Sequence, residues 1–339
     1  MIRVAVDAMG GDRAPETEVA GAVQALATMP EDVTIQLVGH PAAIEAELAR
    51  HPGADRGRLE LHEAADVIGM AEKPLAAVRK KPNSSLVVGL TLHKTGRADA
   101  FLSAGNTGAT LAASTVLLGL HDGVERATVA TLLPTGSTPV VMLDAGANLD
   151  CSARELVGFA YLGTVYMRDI MGIATPVVGL LNVGEEEEKG TAIVREAHQL
   201  LKQAPRIQYA GNIEGRDILP GPQQRIPVQV VVCDGFVGNI VLKFYESSAR
   251  VFVGLLRERI PDAFERPEMQ DLNRLLDYST YGGAPLLGVR GISIICHGSS
   301  SANAIKNGIG VAVRAARAGL SQHIATEFAT REPAAPARP

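Results

Sequence analysis

The sequence predicts an α/β fold in three layers, with helices on both faces of a largely parallel sheet. Three observations predict it. Short apolar runs of strand length alternate with longer runs of helix formers along most of the chain. The strand-like runs end repeatedly in glycine beside Asn, Asp or Ser, which is the turn chemistry of a βα junction. The chain has 339 residues and 46% hydrophobic content, enough apolar side chain for a large core. We expect a single α/β domain over residues 1–330, with a helical arm at about 240–285 and a disordered tail at 331–339.

In chain order, Ile2 to Val6 reads as the first strand and ends in the sharp turn Asp7 to Asp12, after which Pro15 opens a helix. Val33 to Val38 is a second strand, followed by a helix of Ala, Glu and Leu, and 59–61 is a third. Residues 72–81 form a short helix with a basic end, and residues 82–85 cap another that runs to His93. A hairpin is expected from Thr128–Leu133 and Val140–Leu143, and Arg154 to Met171, with few charges, is expected to be a buried helix. Glu185 to Glu188 sit where the first turn of a helix would favour carboxylates. Ile207 to Ala210 is a strand entering the polar turn 211–217. A long helix follows Asn239, and a last helix runs from the serines after His297 to about Phe328.

The stretch around which the rest is organised is 98–114. A strand ends at Leu102, a small polar turn carries Ser103, Gly105, Asn106, Thr107 and Gly108, and an almost uncharged helix follows. A helix N-terminus reached through such a turn presents unsatisfied N–H groups to an anion. Its glycines let the backbone come close, and the same turn with nothing bound is an ordinary N-cap. Four more strands end the same way, at Asp144 to Asn148, at Asn182 to Gly184, at Cys233 to Asn239 and at Cys296 to Ser301. In an open parallel sheet these turns share the carboxyl edge, where ligands bind.

Composition excludes other classes. The net charge is −5 and no basic block is interleaved with aromatics, so nucleic acid is not an expected partner. The three cysteines are scattered, with no CxxC spacing, and a reducing cytoplasmic setting is expected. No run of about 18 apolar residues is present to span a membrane. A first strand beginning at Ile2 leaves no room for a leader peptide.

Together the turns resemble one family, the bacterial phosphate acyltransferases that convert acyl carrier protein thioesters to acyl phosphates for phospholipid synthesis. The matching pieces are the turns at 7–12, 103–108, 143–148, 181–186 with Lys189 and Gly190, 211–215, 233–239 and 297–300, in the family's order from residue 2 to about 310. The resemblance implies a homodimer with a fold similar to isocitrate and isopropylmalate dehydrogenases, related to the phosphate acetyltransferases. It implies no metal or nucleotide cofactor, acyl carrier protein and inorganic phosphate as partners, and peripheral contact with the membrane or a membrane acyltransferase.

Acyl transfer to phosphate asks for little covalent chemistry. Phosphate is already a nucleophile and needs positioning, and the tetrahedral oxyanion needs donors. Candidate contacts are Asp7, Gly10 and Gly11 on the first turn, Ser103 to Gly108 on the central one, and Asp144, Asn148, Asn182, Glu186, Asn212, Asp234, Gly235 and Asn239 on the others. Lys189 is the expected cation and His297 a candidate proton donor to the leaving thiolate. Equally, Lys189 suits a surface, His297 a strand end, and Asp234 a helix cap. Cys233 and Cys296 also end strands, but a buried cysteine is usually a small hydrophobe. Residues 241–264 place Phe252, Leu255, Leu256 and Ile260 at roughly helical spacing with Lys243, Arg250, Arg257 and Arg259 interleaved. That stripe suits a dimer interface or core, or a surface that meets the bilayer or an acidic carrier. A coenzyme A-dependent phosphotransacylase of small acyl groups, a non-catalytic sensor and a dehydrogenase are the alternatives. The last lacks a clustered carboxylate set and a GxGxxG after a strand.

Overall fold

The computed structural model describes residues 1–135, 138–219, 228–276 and 282–330. The α/β class holds, but the strands divide between two sheets instead of forming one. The first contains β1 (Ile2–Asp7), β2 (Val33–Gly39), β3 (Leu59–Glu63), β4 (Ala100–Ser103), β5 (Thr128–Val129), β11 (Ala284–Leu287) and β12 (Ser293–Ile295). Their order is β3-β2-β1-β4-β12-β11-β5, parallel as far as β12, with β11 antiparallel to both neighbours. The second contains β6 (Thr131–Leu133), β7 (Val140–Leu143), β8 (Val177–Leu181), β9 (Gln208–Ile213) and β10 (Val230–Val232) in the order β6-β7-β10-β8-β9. Only β6 is antiparallel there.

The expected hairpin is therefore half right. Thr131 to Leu133 pair with Val140 to Met142, but Thr128 and Val129 pair with Leu286 and Leu287 in the other sheet. Buried Ala130 is the step between them, with its N–H bonded to the carbonyl of Pro285. One extended segment thus joins the two sheets.

Helices α1 (Glu16–Leu26), α2 (Pro41–Leu48), α3 (Pro74–Lys80), α4 (Ser85–Lys94), α5 (Thr107–Leu118) and α6 (Ala153–Met171) follow the expected pattern. The α6 start is fixed by a capping box, Ser152 with Glu155, which satisfies two otherwise unpaired N–H groups. Three boundaries differ from expectation. The acidic run 185–188 lies ahead of α7 (Ala192–Lys202), because the Thr191 hydroxyl caps Val194 and sets the start there. Asn239 lies inside α8 (Gly235–Arg259), which begins at its cap Asp234. The last helix is two, α10 (Ala302–Arg317) and α11 (Leu320–Ala329), broken at Gly319 with φ +65°, a conformation that glycine adopts without steric cost. Between α8 and α10 lies α9 (Pro267–Leu276), completing the helical arm as far as it is described. The tail at 331–339 lies outside the described residues.

Candidate active site

The carboxyl ends of β1, β4 and β12 are neighbours, so their turns interlock. The Ser103 hydroxyl donates to Asp7 Oδ2 at 2.8 Å and accepts from the Gly105 N–H at 3.0 Å. A Cβ on Gly10 would sit 2.7 Å from the Gly105 nitrogen, so only glycine permits this approach. The Asp12 N–H donates to the Gly298 carbonyl at 2.8 Å, tying in the β12 turn. Burial raises the pKa of Asp7 against the opposing bonds from Ser85, Ser103 and Met9. Behind this turn, burial drives Glu18 up to about 7, and one of its oxygens has no hydrogen-bond partner.

In the second sheet, β7 and β10 bring a second pair of turns together. Asp144 is fully buried and accepts from the N–H groups of Val129, Gly146, Ala147 and Asn148. The Asn148 amide donates to Asp144 and to the Ala127 carbonyl. Burial also raises the Asp144 pKa, against those donors. The Gly235 N–H donates to the Asn148 carbonyl, and Asp234 caps α8 by accepting from Val237 at 2.8 Å.

These residues frame the site more than they face it. The Asn106 oxygen caps α5 through Ala109, and its amide donates to the carbonyls of Gly69, Met70 and Glu72. Asn182 donates to the Lys189 carbonyl. Asn212 belongs to β9, opposite Leu180, and reaches the Glu186 carbonyl. Lys189, Glu186, Asn182 and Asn212 form a group of their own farther along the same carboxyl edge. Their side chains do not line the cavity described next. Lys189 is exposed.

Between the two sets of turns lies a cavity of about 300 Å³. One wall is the shared strand, Val129 to Leu133 with Pro134; Leu242, Tyr245, Ala284, Pro285 and Ile295 complete an apolar lining. The polar groups include Thr107, Asn239, Lys243, Glu246, His297 and Ser300. Thr107, Asn239 and His297 were legible as candidates; Lys243, Glu246 and Ser300 were not. Asn239, Lys243 and Glu246 stand at i, i+4 and i+7 on one face of α8, which carries them across from the second sheet to His297 on the first. Lys243 Nζ donates to His297 Nε2 at 3.1 Å and to Glu246 Oε2 at 3.0 Å. Glu246 is only 10% exposed at its side chain, while Lys243 is 45% exposed. Partial burial and then the Lys243 ammonium lower the His297 pKa, so the ring is neutral at neutral pH and accepts at Nε2. In that form it accepts a hydrogen bond from Lys243, which fits the plainer reading of a histidine at a strand end.

The cysteines are poor nucleophiles here. Burial pushes the Cys296 thiol up to about 12 and Cys233 well above its ordinary value, so neither carries appreciable thiolate near neutral pH. Among the described residues no group of His, Cys, Asp and Glu is arranged to hold a metal ion. Among them, too, no helix is long and apolar enough to cross a membrane.

The arrangement of helices and two mostly parallel sheets is shared with solved phosphotransacetylases. A phosphotransacetylase from Streptococcus pyogenes superposes with a TM-score of 0.63 at 18% identity, covering 94% of each chain. The EutD phosphotransacetylase from Staphylococcus aureus does so at 0.60 and 17%, again over 94% of each. At that identity the likeness is one of fold. The family comes from closer sequence matches. Residues 2–323 match the model described as fatty acid synthesis protein. A phosphate acyltransferase of Heliobacterium modesticaldum is 45% identical over 330 residues, 95% of this chain and 95% of the relative. One of Synechococcus sp. (strain JA-3-3Ab) is 45% identical over 341 residues, 98% of this chain and 91% of the relative. The chain belongs to the phosphate acyltransferases, an acyltransferase family.

Proposed function

We propose that the protein transfers a long-chain fatty acyl group from an acyl carrier protein thioester to inorganic phosphate, releasing the carrier thiol and giving an acyl phosphate for phospholipid synthesis. The observation that carries this reading is the cavity between the sheets, apolar along the shared strand and polar where the turns meet α8. An acyl chain suits the apolar wall, and a phosphate oxygen suits the polar end. Attack forms the C–O bond, the C–S bond breaks, and the electron pair leaves on sulfur. The raised cysteine thiols favour this direct transfer over a covalent acyl-cysteine. The sequence match to named phosphate acyltransferases supports phosphate as the acceptor.

The helical arm is the proposed partner surface. Phe244, Val251, Phe252, Leu255 and Ile260 are exposed along α8 and its end, and Leu256 is half-buried beside them. A second copy of the chain, or a membrane taking up a nearly insoluble product, would cover that face. The reading places the protein in the cytoplasm, in peripheral contact with the membrane.

The test is thioester consumption with and without phosphate, using acyl carrier protein and coenzyme A donors side by side. Phosphate-dependent loss of the carrier thioester, with acyl phosphate formed, is expected. Preference for a short coenzyme A thioester would move the protein to the small-acyl alternative. Binding without turnover would make it a sensor.

A further inference from the structure

We propose that Lys243, Glu246 and His297 form the seat of the acceptor anion, and that Glu246 makes the seat selective for phosphate over sulfate. This rests on the phosphate acyl-transfer reading and adds to it a binding residue for each feature of the acceptor.

The argument starts from charge. A site that binds a free anion ordinarily excludes carboxylates, yet Glu246 lines the polar end of the cavity with its side chain nearly buried. It lies 3.0 Å from Lys243 Nζ and 3.9 Å from His297 Nε2. A buried carboxylate facing an anion is repulsive unless the anion brings a hydrogen to share. Hydrogen phosphate does, because at neutral pH it keeps one P–OH. Sulfate has none, so against it the same carboxylate offers only like charge. A carboxylate thus serves here as an acceptor of one P–O–H hydrogen, the arrangement that separates two tetrahedral anions of equal size and charge.

The other two residues complete the seat. Lys243 has three donors, two of which are directed at Glu246 and His297, and its partial exposure leaves the ammonium within reach of an anion. The neutral His297 acts on Lys243 and not on the thiol: by accepting at Nε2 it holds the ammonium over the cavity, so it is a positioning residue. Taking the P–OH hydrogen also gives Glu246 a chemical use. As the phosphate oxygen bonds to the acyl carbon, the anion's remaining proton moves toward the carboxylate, and the negative charge leaves on the thiolate sulfur. Atoms and charge balance with no further reactant.

The experiment is a steady-state assay of the full chain with a fatty acyl thioester, phosphate as substrate, and sulfate or arsenate as competitor. Arsenate, which also keeps an OH, should replace phosphate and consume the thioester, whereas sulfate should inhibit weakly. Glu246→Gln should raise KM for phosphate by roughly ten- to a hundredfold, the range for losing a charged hydrogen bond, while sulfate inhibition strengthens. Lys243→Met should weaken phosphate and sulfate alike, and His297→Gln should raise KM for phosphate less than Lys243→Met does. An unchanged phosphate-to-sulfate ratio in a folded Glu246→Gln variant would overturn the proposal. If that variant does not fold, direct titration of the wild-type chain decides: equal affinity for phosphate and sulfate refutes it, and at least tenfold preference for phosphate supports it. A wild type that binds phosphate selectively but never consumes the thioester would sink the acyl-transfer reading and leave the seat standing.

Discussion

Replacing Gly238 by alanine tests how tightly α8 is docked on the β7 turn. Two effects oppose each other. Inside a helix, Gly→Ala gains about 1 kcal/mol of helix propensity. At Gly238, however, the new Cβ would lie 1.8 Å from the carbonyl oxygen of Asp144 and 3.1 Å from Cys233 Sγ. The first neighbour is backbone and cannot rotate away, so the helix must lift from the turn. Overpacking costs about 1–3 kcal/mol where side chains can give, and a backbone clash belongs at or above the top of that range. The net expectation is a loss of about 2 kcal/mol or more, read as a fall of about 3 °C or more in the unfolding midpoint of a chain this long. Activity should fall too, because α8 carries Asn239, Lys243 and Glu246 to the cavity. Gly254, on the same helix, is the control, because an added methyl would meet nothing within 4 Å; Gly254→Ala should stabilise by about 0.5–1 kcal/mol. Calorimetry of both variants checks the pair. If Gly238→Ala is as stable as Gly254→Ala and fully active, α8 does not dock on Asp144 in the way its close approach requires.

Three more perturbations probe the same geometry. Glu18 titrates near 7 in the folded chain against 4.5 when free, so between those values the native state holds more protons than the unfolded one and stability falls as pH rises. Glu18→Gln should flatten that decline, on the order of 3 kcal/mol, in midpoints measured from about pH 4.5 to 7.5; a profile parallel to wild type would contradict it. A Cys233→Ala, Cys296→Ala double variant that stays folded should keep phosphate-dependent turnover within a few fold, and near-complete loss in a thioester assay would restore the acyl-cysteine route. Leu255→Glu and Leu256→Glu should reduce flotation with anionic liposomes, whereas equal flotation of wild type and variants would remove the arm as the membrane contact.

The strands and their turns were legible in the sequence because a βα junction is a local event: a few apolar residues, a glycine and a cap suffice to declare it. The use of each turn residue was not. Asn106 and Asp234 are the residue types that bind anions and also the types that cap helices, and only the positions of Ala109 and Val237 show that they cap. Lys243 read as one of several cations on an amphipathic stripe. Its meeting with His297, 54 residues on, depends on the crossing of α8 from one sheet to the other. The break of 128–133 between two sheets was hidden for a related reason. The run is a continuous stretch of strand formers, and nothing in Ala130 itself marks a change of partner.

That shared run has a consequence for the loaded enzyme. Because Val129 belongs to one sheet, Thr131 to the other, and both border the cavity, an occupant touches both sheets at once. A ligand that binds only the folded chain, present at about a hundred times its dissociation constant, adds about 2.7 kcal/mol to the folded state. Heat resistance is thus a gauge of occupancy, readable without following any chemistry.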